Sequence, residues 1–194
     1  LIAVASIGLD HREHLGNSLA AIAAEKAAAI GKGAHVISAA QKPEVSAVLE
    51  QRVREVQGTL QWVKALDESW SLGLPGAWQR RNGAVAQAAL QWISASNDGI
   101  TNQTIRAGFT AARWPGRLQW MRWRGMRLRV DGAHNPPAAI ELARERCSWS
   151  SPGTRQTWIL AIQAQKQAPD MLQQLLSSND EAWVVPVPGH RSWS

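Results

Sequence analysis

Several groups of residues in this chain have the types and spacing to do chemistry. The richest is Asp131-Gly132-Ala133-His134-Asn135-Pro136-Pro137, which sets a carboxylate, an imidazole and an amide within one short turn. The run Met126–Val130 before it alternates apolar and basic residues and predicts a strand, and Ala138–Glu145 after it predicts a helix. Asn135 is the expected N-cap, with Pro136 at the first helical position where its missing N–H costs nothing. A turn at the carboxyl end of a strand and beside a helix N-terminus is where open α/β sheets bind ligands. The same residues would also make a well-formed turn with no ligand.

Three further groups could contribute. Asp10-His11 follows a buried apolar run, and an imidazole there can ligate a metal when neutral or hold a phosphate when charged, with His14 near enough to share the site. Lys26 lies in an alanine-rich helical stretch. Desolvation there would lower its pKa and allow it to react with carbon dioxide as a carbamate, whereas a salt bridge to Glu25 or a snorkelling stem would leave it structural. Arg117 follows Trp114-Pro115-Gly116, and a guanidinium fixed after a rigid turn suits bidentate phosphate binding, although a surface arginine on a linker has the same sequence. The chain contains no G-x-x-x-x-G-K-[ST] loop to cradle phosphates and no Cys/His metal cluster.

The elements that must position these residues alternate. Leu1–Ile7 predicts a strand, Asn17 or Ser18 to Ile30 a helix, His35–Ser38 a strand, and Glu44–Gln57 a helix opened by Pro43. That order is the signature of a parallel α/β sheet. Thr59–Val63 and Trp70–Leu74 are strand candidates, Asn82–Ser94 is a helix, and Thr101 caps another that carries Ile105 and Phe109. Trp114-Pro115-Gly116-Arg117 breaks the pattern and sets the expected domain boundary, giving domains 1–113 and 114–194. A hairpin follows, with strands at Leu118–Trp123 and Met126–Val130. Beyond Glu145 come a strand at Thr157–Ile162, a helix near Pro169–Leu176 and a strand at Ala182–Val187.

A formal charge of +6 suits anionic ligands, but the arginines are scattered and most of the eleven tryptophans fall in predicted strands or helices, which argues against a nucleic-acid binder. The apolar runs are too short to span a bilayer, so no membrane role is expected. The single cysteine, Cys147, excludes an internal disulfide framework and fits a cytoplasmic protein. The absence of an initiator Met and of a closing helix is the pattern expected of a fragment of a longer protein.

In combination and in order, these residues resemble the Mur ligase superfamily, and most closely its dihydrofolate synthase/folylpolyglutamate synthase branch. The resemblance rests on Ser6-Ile7-Gly8-Leu9-Asp10-His11, Ile22-Ala23-Ala24-Glu25-Lys26-Ala27, Leu74-Pro75-Gly76 with Gln79 and Asn82, Trp114-Pro115-Gly116-Arg117-Leu118 and Asp131-Gly132-Ala133-His134-Asn135-Pro136. It implies the C-terminal part of a Mur-ligase-like central ATPase domain, followed by a smaller Rossmann-like α/β domain. The implied activity is ATP-dependent joining of L-glutamate to dihydropteroate or a folate through an acyl phosphate, by a cytoplasmic monomer that uses magnesium. By position, His11 resembles a magnesium ligand and Lys26 the lysine that is carbamylated in the superfamily. Asn82 and Asp131 resemble contacts near the adenosine, Arg117 one near the phosphates, and His134 a residue near the nucleotide and the incoming glutamate. Lys166 aligns with a lysine that the family flanks with aspartates, here replaced by Gln165 and Gln167, and Trp78 stands where the family often has histidine. Two other readings are a peptidoglycan-precursor ligase of the same superfamily and a non-catalytic nucleotide-binding module.

Overall fold

The computed structural model describes residues 1–9, 15–16, 18–151 and 153–193. The chain divides into two compact units, Leu1–Asp131 and Gly132–Ser194.

The first unit is built on a parallel sheet in the order β1 (Ile2–Val4), β2 (His35–Ala39), β3 (Thr59–Val63). The central strand β2 is buried on both faces. Val36 packs into a cluster with Ile22 and Ala23 of helix α1 (Leu19–Ala27) and with Val45, Leu49 and Val53 of α2 (Pro43–Glu55). Its neighbour Ile37 points the other way, against Val85 and Ala88 of α3 (Trp78–Ser94). This alternation turns one five-residue strand into the partition between two cores, as parallel sheets with helices on both faces require. Ser18 Oγ caps α1 by accepting from Ala21 N at 3.1 Å. Pro43 opens α2, and Thr101 forms a capping box with Thr104 at the start of α4 (Asn102–Ala111).

The strand expected at Trp70–Leu74 is a loop. Its main chain is claimed by side chains and by a distant helix end. The Ser69 carbonyl accepts from Arg106 at 2.9 Å, the Ser71 carbonyl from Thr110 Oγ1 at 3.2 Å, and Gly73 N donates to the Phe109 carbonyl at 2.8 Å. Trp70 is buried, tilted against Phe109 and overlain by the Arg106 guanidinium at 4.0 Å. Helix α3 also begins earlier than expected, at Trp78 rather than Asn82.

The hairpin β4 (Gln119–Trp123) and β5 (Met126–Val130) closes through Arg124 and Gly125, both at positive φ (47° and 82°), which matches the twist of a two-residue hairpin turn. Opposed residues share a face. Trp120 pairs with Arg129 and Arg122 with Arg127 on one side, while Met121 pairs with Leu128 and Trp123 with Met126 on the other.

In the second unit, α5 (Pro136–Glu145) is capped by Asn135, whose Oδ1 accepts from Ala138 N at 2.9 Å. Strands β6 (Thr157–Leu160) and β7 (Glu181–Val184) pair in parallel across α6 (Ala168–Leu175). Asp180, just before β7, ties these pieces together. Its carboxylate accepts from Arg146 Nη1 and Nη2 at 2.5 and 2.7 Å, from Ser177 N and Gln156 N at 2.9 Å each, and from Trp158 Nε1 at 3.2 Å. The hydrogen bond to Arg146, assisted by those to the backbone and indole donors, holds its pKa well below the usual carboxylate range.

Candidate functional site

Gly116 lies at a φ of 71° and Leu118 at 44°, so the Trp-Pro-Gly-Arg-Leu turn is tightly bent. Leu118 is buried, and its N–H donates to Asp131 Oδ2 at 2.9 Å. That bond joins two of the motifs read from the sequence. It anchors the turn that carries half-buried Arg117 onto the carboxylate that ends β5. A charge-assisted bond of this kind contributes about 1.5–3 kcal/mol. Asp131 therefore positions the Arg117 turn, beside any contact it makes to a ligand.

Asn82 lies on α3, where its Nδ2 donates to Gln79 Oε1 at 3.1 Å; Gln79 is buried. At the start of α3, Trp78 packs over Gly76, which has a φ of 107°. A Cβ at Gly76 would lie 2.9 Å from the indole, so glycine is needed there for space as well as for conformation. Any polar function of a histidine at position 78 is replaced by this apolar lid on the turn.

Lys26 is exposed on α1, so of the two readings open from the sequence the structure does not give it an apolar surrounding. The alanine that fills this helix lies on both its buried and its open face, and composition therefore did not reveal which way Lys26 points. Asp10, His11 and His14 lie outside the described residues. The approach to them is defined, because Gln41 staples the end of β1. Its Oε1 accepts from Ile7 N at 2.9 Å, and its Nε2 donates to the Ala5 carbonyl at 2.9 Å and to fully buried Ser38 Oγ at 3.1 Å. Among the described residues no three His, Cys, Asp or Glu side chains gather as a metal site.

In the second unit, His134 and Lys166 line one cavity of about 320 Å³ with Ala133, Ala161, Ile162, Gln163, Met171 and Val187. The exposed His134 ring lies with Nδ1 3.0 Å from the Gly132 carbonyl. A carbonyl can only accept, so Nδ1 carries the proton and Nε2 is an acceptor in the neutral ring. Apolar walls with one ammonium, one imidazole and one amide suit a small carboxylate or amino acid. Lys166 entered the sequence reading only through resemblance, and Gln163 was not identified at all. Their convergence depends on the fold of β6 and the turn after it.

The two units, each with helices packed about a small parallel sheet, define a mixed α/β architecture. The family model described as the dihydrofolate synthetase C-terminal domain matches residues 117–187. The folylpolyglutamate synthase of Lacticaseibacillus casei is 30% identical over 94% of this chain and 48% of its own length. The dihydrofolate synthase/folylpolyglutamate synthase of Bacillus subtilis is 29% identical over 74% of the chain and 39% of its own length. A solved folylpolyglutamate synthase complex with AMPPCP and folate aligns with a TM-score of 0.84 at 27% identity, covering 97% of this chain and 52% of that one. E. coli FolC in complex with DHPP and ADP aligns at 0.80 and 27% identity, covering 98% and 48%. The chain belongs to the dihydrofolate synthase/folylpolyglutamate synthase family. It spans about half the length of the curated relatives it matches. No helix among the described residues is long and apolar enough to cross a membrane.

Proposed function

We propose that this chain contributes its nucleotide and amino-acid contacts to an ATP-dependent ligase that joins L-glutamate to dihydropteroate or a (poly)glutamyl folate in the cytoplasm, as a monomer. The observation that carries the reading is the bond from Leu118 N to Asp131 Oδ2, which links the Trp-Pro-Gly-Arg-Leu and Asp-Gly-Ala-His-Asn-Pro motifs across thirteen positions. The nucleotide would supply the phosphoryl group that activates the folate carboxylate. Arg117 provides a guanidinium held by the tied turn, suited to phosphate oxygens. Asn82 and Asp131 take the adenosine side. His134 and Lys166 face one cavity whose size and charge suit glutamate: Lys166 pairs with a carboxylate, and His134 Nε2 accepts a proton from the amine as it attacks. Magnesium, in this reading, is held at His11, and Lys26 is the carbamylation site.

The domains in this reading are a central ATP-binding segment, 1–113, and a glutamate-ligase segment, 114–194. The test is phosphate release and glutamyl product formation by the full-length protein, with ATP, magnesium and L-glutamate, on dihydropteroate and on a folate monoglutamate. Release with a UDP-linked acid and with neither pterin would overturn the reading in favour of a cell-wall ligase. The 194-residue chain alone, with no glycine-rich phosphate loop, is expected to be silent in the same assay.

A further inference from the structure

The segment that leaves β6 carries glutamine at alternate positions. Gln163 lines the cavity with His134 and Lys166, whereas Gln165 is exposed and outside the lining. Main-chain bonds hold this segment in place. Ala164 N donates to the Arg191 carbonyl and Trp193 N to the Ile162 carbonyl, each at 2.9 Å, and Lys166 N donates to the Gln163 carbonyl at 3.0 Å. On that frame Gln165 Nε2 donates to Gln163 Oε1 at 2.7 Å. A side-chain amide carries its acceptor and its donor on opposite sides of one carbon. With its oxygen held on the Gln165 side, Gln163 turns its Nε2 hydrogens toward the cavity. A side chain at 165 that could only accept would take those hydrogens and reverse the amide. The polarity offered to a ligand is therefore set by a residue that does not line the cavity.

We propose that Gln163 is a specificity-determining residue for the amino acid that enters this cavity, donating from Nε2 to a carboxylate, and that Gln165 is the positioning residue that fixes its direction. The inference rests on the ligase reading above for the identity of the ligand. The polar groups then match L-glutamate one to one. His134 Nε2 faces the amine, the Lys166 ammonium and the Gln163 amide each face one carboxylate, and Ile162, Met171 and Val187 lie against the methylenes. A hydrogen bond to a carboxylate is about twice as strong as one to a neutral amide oxygen. Converting the carboxylate that Gln163 meets into an amide therefore weakens binding, and a reversed Gln163, presenting its oxygen, favours that amide.

The test is an NMR titration of the isotope-labelled 194-residue chain with L-glutamate and its two monoamides, L-glutamine and L-isoglutamine. The Gln163 side-chain amide signals, identified by their loss in Q163M, shift on addition of L-glutamate. Wild type binds L-glutamate about fivefold more tightly than either monoamide. Q163M binds it about tenfold more weakly, the loss of one bond to a charged group. It no longer distinguishes L-glutamate from one monoamide and keeps the preference over the other. Q165M frees the amide without changing charge and lowers the same preference by about threefold. Q165E inverts that preference. Gln174 is exposed on α6, and Q174E, with the same added charge, leaves the order of the three ligands unchanged. Unmoved Gln163 signals, equal losses for all three ligands in Q163M, or wild-type preferences in Q165M each overturn the proposal. So does a wild-type chain that fails to bind L-glutamate. None of these readouts requires turnover, so a full-length protein that failed to ligate glutamate would refute the ligase reading separately.

Discussion

Removing the carboxylate of Asp180 is expected to cost the second unit about a third or more of its stability. The side chain is 1% exposed and its Arg146 partner 17%. Truncation to alanine leaves that guanidinium without its anion and strands the N–H groups of Gln156 and Ser177 and the indole of Trp158. Breaking a buried pair by deleting one partner costs about 3–5 kcal/mol. Arg146 also donates to the Thr154 carbonyl at 3.0 Å and to Ser177 Oγ at 3.1 Å, which places the cost near about 3 kcal/mol. A unit of roughly 60 residues has about 3–9 kcal/mol to lose. Asp180→Ala should therefore speed amide exchange across β6, β7 and α6 by about 100-fold, while the β1–β3 sheet keeps its protection. Asp180→Asn keeps an acceptor and should cost less, about 1.5–3 kcal/mol. The pH dependence has a definite sign. The folded-state pKa is depressed, so the stabilisation is complete above the ordinary carboxylate value of 3.8 and fades as pH falls below it. Wild type should lose second-unit protection below about pH 4, and Asp180→Asn should lack that part of the acid limb. An alanine variant within about 0.5 kcal/mol of wild type, or identical acid limbs for wild type and Asp180→Asn, would refute the hub argument.

Asp131→Ala should release the Leu118 amide, speeding its exchange by about tenfold or more for a loss of about 1.5 kcal/mol, while Asp131→Asn retains most of the protection; unchanged exchange in the alanine variant would show that the turn holds itself. Gln41→Leu leaves Ile7 N and buried Ser38 Oγ short of partners and should destabilise the first unit by about 1–3 kcal/mol, read from its denaturant midpoint. Gly73→Ala would set its Cβ 2.5 Å from the Thr110 carbonyl oxygen and against that of Ala112. Both are main-chain atoms, so a loss of about 1–3 kcal/mol is expected in thermal unfolding, and an unaltered midpoint would contradict the packing around Trp70.

What the sequence made legible was whatever is decided locally. The caps at Ser18, Thr101 and Asn135, the proline that opens α2 and the alternation through β5 all have their cause within a few residues, and the elements stand where they were expected. Trp70–Leu74 was misread because its partners, Arg106, Phe109 and Thr110, are more than thirty positions away. Its apolar content reflects a tryptophan driven into a core, a demand that strand periodicity cannot distinguish from pairing. The candidate site divides in the same way. The motif around His134 could be found by its residue types, whereas the cavity it shares with Gln163 and Met171 arises only once β6 and α6 are packed.

The faces of the β4–β5 hairpin depend on parity. Arg124 and Gly125 fix the pairing, and side chains alternate strictly along each strand. A single-residue insertion or deletion within β5 would carry every arginine beyond it to the methionine side and every apolar residue to the arginine side. A change of two residues would keep the faces and only shift the rows. Length variation along this hairpin is therefore constrained to even steps, a restriction that acts on the gene's permitted insertions and deletions and not on any one side chain.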